Sequence, residues 1–244
     1  VTLALHPPLP LPGPRALRTE DLLVLHAFDR ALRLQLGALC TALASADASS
    51  VAQMDELRRF ADATEAVVRD HHLGLDRLMG AIALATADAG HLIARLRSGH
   101  RAVIRALEHV GVRLQGMVGL ATLGAIHELA EAQLLAVGSV GAAIVAVERQ
   151  ARLEGEELHP ALLAALPADR LEELVAARWI GADAEDQAFR LPWLARAIDP
   201  SEELLLLAAL PRMARLVHRF VWVPAHERSF PAIATAWQAV PAVG

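Results

Sequence analysis

The chain has 244 residues, 55% hydrophobic and only 4% aromatic, with no Tyr and a formal charge of −5. That length bounds one large domain, or one domain with an appendage, and allows a substantial core. Few aromatics and no alternating β-branched runs exclude an all-β fold, and the acidic balance gives no drive toward nucleic acid or an anionic membrane.

All 23 basic residues are Arg, scattered through the helices without a basic, aromatic-studded stripe, so no nucleic-acid partner is expected. Cys40, the single cysteine, cannot form an internal disulfide, which makes a reducing, cytoplasmic setting the expectation. There is no phosphate-cradling glycine loop, no His-Glu-x-x-His and no Cys cluster, and an enzymatic role is not favoured. Residues 1–18 carry Pro at 7, 8, 10, 12 and 14 without a basic stretch before an apolar run. They read as an extended, polyproline-like lead-in and not as a signal peptide.

Thr19-Glu20-Asp21 is a helix start with acids in the first turn. The first helix runs to about Ala46 with Leu22, Leu25, Asp29, Leu32, Leu36, Leu39 and Leu43 on one stripe. His26 lies about 90° off that stripe, and Asp29 is expected to pair with an Arg. Ser50 caps a second helix that extends to about Ala81. Its stripe is Phe60, Thr64, Val67, His71, Leu75, Leu78 and Ile82, at three- and four-residue spacing. His71 or His72 therefore faces a core.

The third helix starts near Asp88, with His100 in the middle of the stripe Leu92, Ile93, Leu96, Val103, Ile104 and Leu107; His91 and His109 fall on other faces. Gly111, Gly116, Gly119 and Gly124 place a connection within 112–124. The fourth helix carries Ile126, Ala130, Gln133, Val137, Val140, Ile144, Val147, Ala151, Glu154 and Leu158. Glu154 is a carboxylate on an apolar line, expensive to bury alone. The uncharged run Ala132–Val147 is shorter than the roughly 20 residues a membrane span needs; it is expected to be a buried helix. His127 and Glu131 share His-x-x-x-Glu spacing by coincidence, and His159, His218 and His226 are expected at the surface or in the tail. Pro160 and Pro167 end the long helices, and Ala168–Trp179, the Leu191–Leu194 stretch and Ser201–Val217 form short amphipathic pieces. Their apolar residues, from Leu191 and Trp193 to Met213 and Val217, are expected to dock on the rest, with Trp193 as an anchor.

One polar group per stripe on four long helices is the arrangement of a metal site inside a helical bundle. Here the chain resembles the hemerythrin-like (HHE cation-binding) family over roughly residues 20–225. "RDHHLGLDRLM" resembles that family's second-helix motif, and "EGEELHPALLAALPADR" its fourth. The segment from Phe189 to Arg228 is similar to the C-terminal extension of bacterial members. The resemblance implies an all-α fold: an antiparallel up-down four-helix bundle over 19–160, followed by a C-terminal extension of short helices over 161–244.

The positions matching the family's ligands are His26, His71 with Leu75, His100, and Gln150 with Glu154. Two of the six depart, Leu75 from Glu and Gln150 from His. Asp76, four residues after His72, replaces the lost carboxylate if the second helix turns by one residue, about 100°. The resemblance thus implies metal ligands among His26, His71, His72, Asp76, His100 and Glu154. It implies iron as cofactor, in a single-metal or empty centre instead of a complete di-iron one, with dioxygen or another small diatomic as ligand. The alternative expectation is a metal-free scaffold, or a binder of a small ligand or partner, on the same fold.

Overall fold

A computed structural model describes residues 22–85, 89–167, 184–208, 210 and 212–239, and the described residues are helical throughout apart from short connections. Four long helices come first: α1 (Leu23–Ser45), α2 (Val51–Ala85), α3 (Ala89–Leu123) and α4 (Ile126–Leu153). Each packs on two of the others, α1 on α2 and α4, and α3 on α2 and α4. The expected start at Thr19-Glu20-Asp21 and the piece Ala168–Trp179 lie outside the described residues.

Local chemistry fixes the helix ends. The Ser50 hydroxyl accepts the Gln53 backbone N–H at 3.3 Å, the side-chain cap that starts α2. The connection expected within 112–124 comes at its very end, because α3 runs through Gly111, Gly116 and Gly119 to Leu123. Of these four glycines only Gly124 takes a left-handed φ, +66°. The Gly124 and Ala125 N–H groups return to the Ala121 and Leu120 carbonyls at 3.1 and 3.0 Å, a Schellman closure. Gln133 on α4 donates to the Leu43 and Ala46 carbonyls at 2.7 and 3.1 Å, closing the end of α1.

Pro160 does not end the fourth helix. The chain passes from α4 through a π turn, Glu154–Leu158, into α5 (His159–Ala165), and the His159 N–H donates to the Glu154 carbonyl. The wider i→i+5 turn absorbs the missing N–H of Pro160, where an α-helical ladder would have broken. Leu166, before Pro167, is extended, and the helix stops there as expected.

The expected line on α4 is shifted. Ile126 and Ala130 are exposed, and the buried line is Leu129, Ala136, Val140, Ala143, Val147, Gln150 and Glu154. Nor is Ala132–Val147 a buried helix. Helical structure is continuous over Ile126–Ala165, long and apolar enough to cross a membrane by length and composition, and only 22% of its most apolar window is buried.

The remaining described helices are α6 (Ala184–Ala195), α7 (Pro200–Ala208), α8 (Arg212–Val217), α9 (Val223–Ser229) and α10 (Pro231–Trp237), with a second π turn at His218–Trp222. α6 and α10 lie on α1, and α10 also meets α2. Leu191, Trp193, Leu194 and Ile233 are buried, whereas Met213 is exposed. Gln35, fully buried on α1, donates to the Trp193 carbonyl at 2.6 Å and accepts from the Trp237 indole at 2.8 Å. The buried Glu56 carboxylate accepts the Ala232 N–H at 2.7 Å; burial raises its pKa against the opposing pull of the Ala232 and Ile233 N–H groups.

The apolar interior falls into two clusters. The larger joins Leu36, Leu39, Phe60, Val68, Val103 and Val147; the smaller joins Leu22, Leu25, Leu75, Met79, Leu96 and Leu158. Along every long helix a polar residue separates them: His26 on α1, His71 and His72 on α2, His100 on α3, and Gln150 with Glu154 at the end of α4.

Candidate metal centre

The two-residue uncertainty on α2 resolves because both histidines are buried, His71 at 5% and His72 at 7% exposure. They point to different neighbours. The His71 ring stacks on Phe28 of α1, with centroids 3.6 Å apart and planes 5° from parallel. His72 stacks on His100 of α3, at 4.0 Å and 8°. Glu154, 2% exposed, completes the group: its Oε1 lies 3.1 Å from His100 Nε2. One ligand atom each from His72, His100 and Glu154 falls within 4.8 Å of the others.

Gln150, one turn before Glu154, donates its amide N–H to the same Oε1 at 2.6 Å. That bond fixes the amide orientation. The amide oxygen then rests against Gly99, where an added Cβ would come within 1.7 Å of it. Gly99 therefore permits this close approach: any larger residue beside His100 requires the Gln150 amide to move. Asp76 Oδ1 stands 3.7 Å from His100 Nδ1 and 3.5 Å from Arg97 Nε. It faces the ring nitrogen turned away from Glu154, the position of a carboxylate that orients a ligand histidine. Leu75, in the register of the expected carboxylate, is buried in the smaller apolar cluster.

His26 is not in the triad. Its Nε2 lies 2.9 Å from Nδ1 of His159, and the rings meet at 58°. Burial, with Arg30 adding to it and Glu202 opposing, lowers the His26 pKa. His159 is buried, contrary to the expected surface position, and its pKa is lowered to about 4, first by burial and then by His26, with Glu154 opposing. The π turn explains the difference, since it brings residues five apart onto one side and carries His159 inward with Glu154. Asp29 does not rely on an Arg alone. Burial first, then the negative charge of Glu154, hold its carboxyl well above the usual range, with Arg33 pulling the other way. The structure thus adds Asp29 and His159 to the surroundings of Glu154; Pro160 directly after His159 was the one available sign that the helix changes pitch.

His218 and His226 are also buried, at 1% and 4% exposure, and belong to the C-terminal helices, not to this layer. His127 and Glu131 face outward. Cys40 is half-buried, and burial raises its thiol pKa, which disfavours the thiolate.

Two imidazoles and one carboxylate suit a single ion. Ligand atoms on a metal at about 2.0–2.2 Å stand nearer together than 4.8 Å, so binding requires a contraction of no more than about 1.5 Å. At the two positions that depart from the expected ligands, Leu75 offers no ligand atom and Gln150 only its amide oxygen, since its N–H is held by Glu154. Searched against protein-family models, curated proteins and solved structures, the chain matches none.

Proposed function

We propose that the chain is a hemerythrin-like antiparallel up-down four-helix bundle whose polar layer holds one divalent metal, iron, for binding or sensing a small diatomic such as dioxygen. The observation that carries it is the convergence of His72, His100 and Glu154. The up-down arrangement is supported by the order in which each helix meets the two apolar clusters. α1 and α3 pass from the smaller to the larger, and α2 and α4 from the larger to the smaller. Two histidines and one carboxylate with positions left open is the ligand pattern of non-haem ferrous sites. A bound ferrous ion would supply the redox chemistry and open coordination positions that side chains lack.

The chain's own residues would do the rest. Gln150 holds the Glu154 carboxylate by one oxygen, Asp76 faces the outer nitrogen of His100, and the apolar cluster around Leu75 and Leu96 keeps water from that side. We place such a protein in the cytoplasm, as a binder instead of an enzyme, with no nucleic-acid or membrane partner.

One observation favours a second reading. Glu154 already accepts bonds from His100 and Gln150, so its carboxylate is satisfied without an ion and can serve a metal-free scaffold. Metal analysis of protein purified without a histidine tag, followed by anaerobic calorimetric titration with ferrous iron, separates the two. The metal reading requires about one ion per chain, lost in Glu154→Gln; no binding to the folded protein leaves the scaffold. Leu75→Glu restores a carboxylate one turn from His71 and is expected to raise ferrous affinity; unchanged affinity with the fold intact would mean that position 75 does not reach the ion.

A further inference from the structure

We propose that the outer face of α4 is the contact surface of a two-fold homodimer, each α4 lying antiparallel on its copy. At 100° per residue, Glu131, Leu134, Gly138, Gly141, Val145 and Arg149 fall in one arc about 80° wide, opposite the buried line of the helix. Leu134 and Val145 are 74% and 55% exposed. Leu135 beside them is 45% exposed, and apolar side chains grouped on a surface, unlike ones scattered singly, mark an interaction site.

The glycines point the same way. An added Cβ at Gly138 or Gly141 would meet nothing within 4 Å. The fold therefore needs neither, though each weakens the helix relative to Ala. A second helix approaching closely does need them.

Charge selects the partner. Glu131 and Arg149 stand at opposite ends of the strip, both exposed, and neither has an ion-pair partner among the described residues. Sliding two copies of α4 antiparallel until Glu131 is level with Arg149 brings Leu135 level with Val145 and Gly138 level with Ala142. Both ends then pair at once, because the strip is complementary to itself, the property a two-fold contact requires. Beside α4, a groove of about 380 Å³ runs from a charged end with Arg113, Glu128 and Glu131 to an apolar end with Leu135, and Leu135 stands level with the partner copy's Val145.

A bilayer fits less well. Between Glu131 and Glu148 the uncharged run covers about 24 Å of helix, short of the roughly 30 Å hydrocarbon core. The α3 surface alongside carries exposed Arg101, Arg105 and Arg113.

Sedimentation velocity on the full chain at micromolar concentration is the test. A dimer is expected, weakened about a hundredfold or more by Val145→Glu, which buries a charge twice per interface. Glu131→Arg and Arg149→Glu are each expected to weaken it about tenfold, and the double variant to restore it. A monomeric wild-type chain, a dimer indifferent to Val145→Glu, or a double variant no better than either single overturns the proposal. So does flotation of the wild-type chain as a monomer with phosphatidylglycerol vesicles, which assigns the face to a membrane. Because these positions lie outside the core, the metal titration is expected to be the same in all four variants, and its failure would leave the dimer result standing.

Discussion

The molecule buries histidines in two contrasting ways. His100 meets a carboxylate at 3.1 Å and a parallel imidazole at 4.0 Å. His226, on α9, meets rings: Phe189 at 5.1 Å, Phe230 at 5.2 Å, Trp237 at 5.6 Å and Phe60 at 6.4 Å. Neither of its nitrogens has a hydrogen-bond partner among the described residues. Burial, and the Arg196 charge after it, push its pKa down to about 4. The first histidine is placed to share an ion or a proton; the second is a neutral disc filling an aromatic box between the C-terminal helices and α2. Burial alone does not mark an imidazole as a candidate ligand, whereas convergence with a carboxylate does.

The largest effect expected from this contrast is on metal binding. Replacing His72 or His100 by Ala should lower ferrous affinity at least a thousandfold, about 4 kcal/mol, while His226→Phe leaves it unchanged. Calorimetry on the folded proteins reads both, and equal losses at the two sites would erase the distinction.

Next is acid stability. The His226 pKa is 6.5 in a free chain and about 4 in the folded one, so below 6.5 the unfolded chain takes up the proton first. The stability due to its neutral burial is full above 6.5 and lost as pH falls toward 4, about 3 kcal/mol in all. Urea unfolding of His226→Phe should lack that share of the pH dependence between 6.5 and 4. A variant with the same slope as the wild-type chain would show that the ring is reached by water.

The smallest effects concern glycine. Gly99→Ala gains helix propensity but drives Gln150 from Glu154, a charge-assisted bond of about 1.5–3 kcal/mol; a net loss of about 1 kcal/mol is expected. Gly116→Ala, where an added Cβ meets open space, should instead gain up to about 1 kcal/mol. Thermal unfolding of the pair should move in opposite directions.

Much of the helical layout is legible in periodicity. The α2 stripe from Phe60 to Ile82 is buried at every expected position, and His100 and Glu154 stand out because each interrupts an apolar line. What spacing does not reveal is whatever depends on a change of pitch or a distant neighbour. The inward turn of His159 follows from five residues of π geometry, which no 3.6-residue pattern encodes. Asp29 is perturbed by a residue 125 positions later, and His226 is enclosed by rings drawn from α2, α6 and α10. The α4 stripe misled for a different reason. Apolar residues lie on both sides of that helix, so composition alone could not tell the core side from the outer one.

The π turn at Glu154–Leu158 also bears on chain length. Such a turn is an α-helix carrying one surplus residue. Removing one residue there, for instance the exposed Gly155, would let the backbone rewind to regular α pitch and leave everything after it near its present azimuth. His159 would then stand four residues from Glu154 instead of five, still on the same side of the helix. The fourth helix thus carries a slack residue at this point: a deletion at 155 can be silent, while a deletion elsewhere in the regular helix turns every later residue to Ala165 by about 100°.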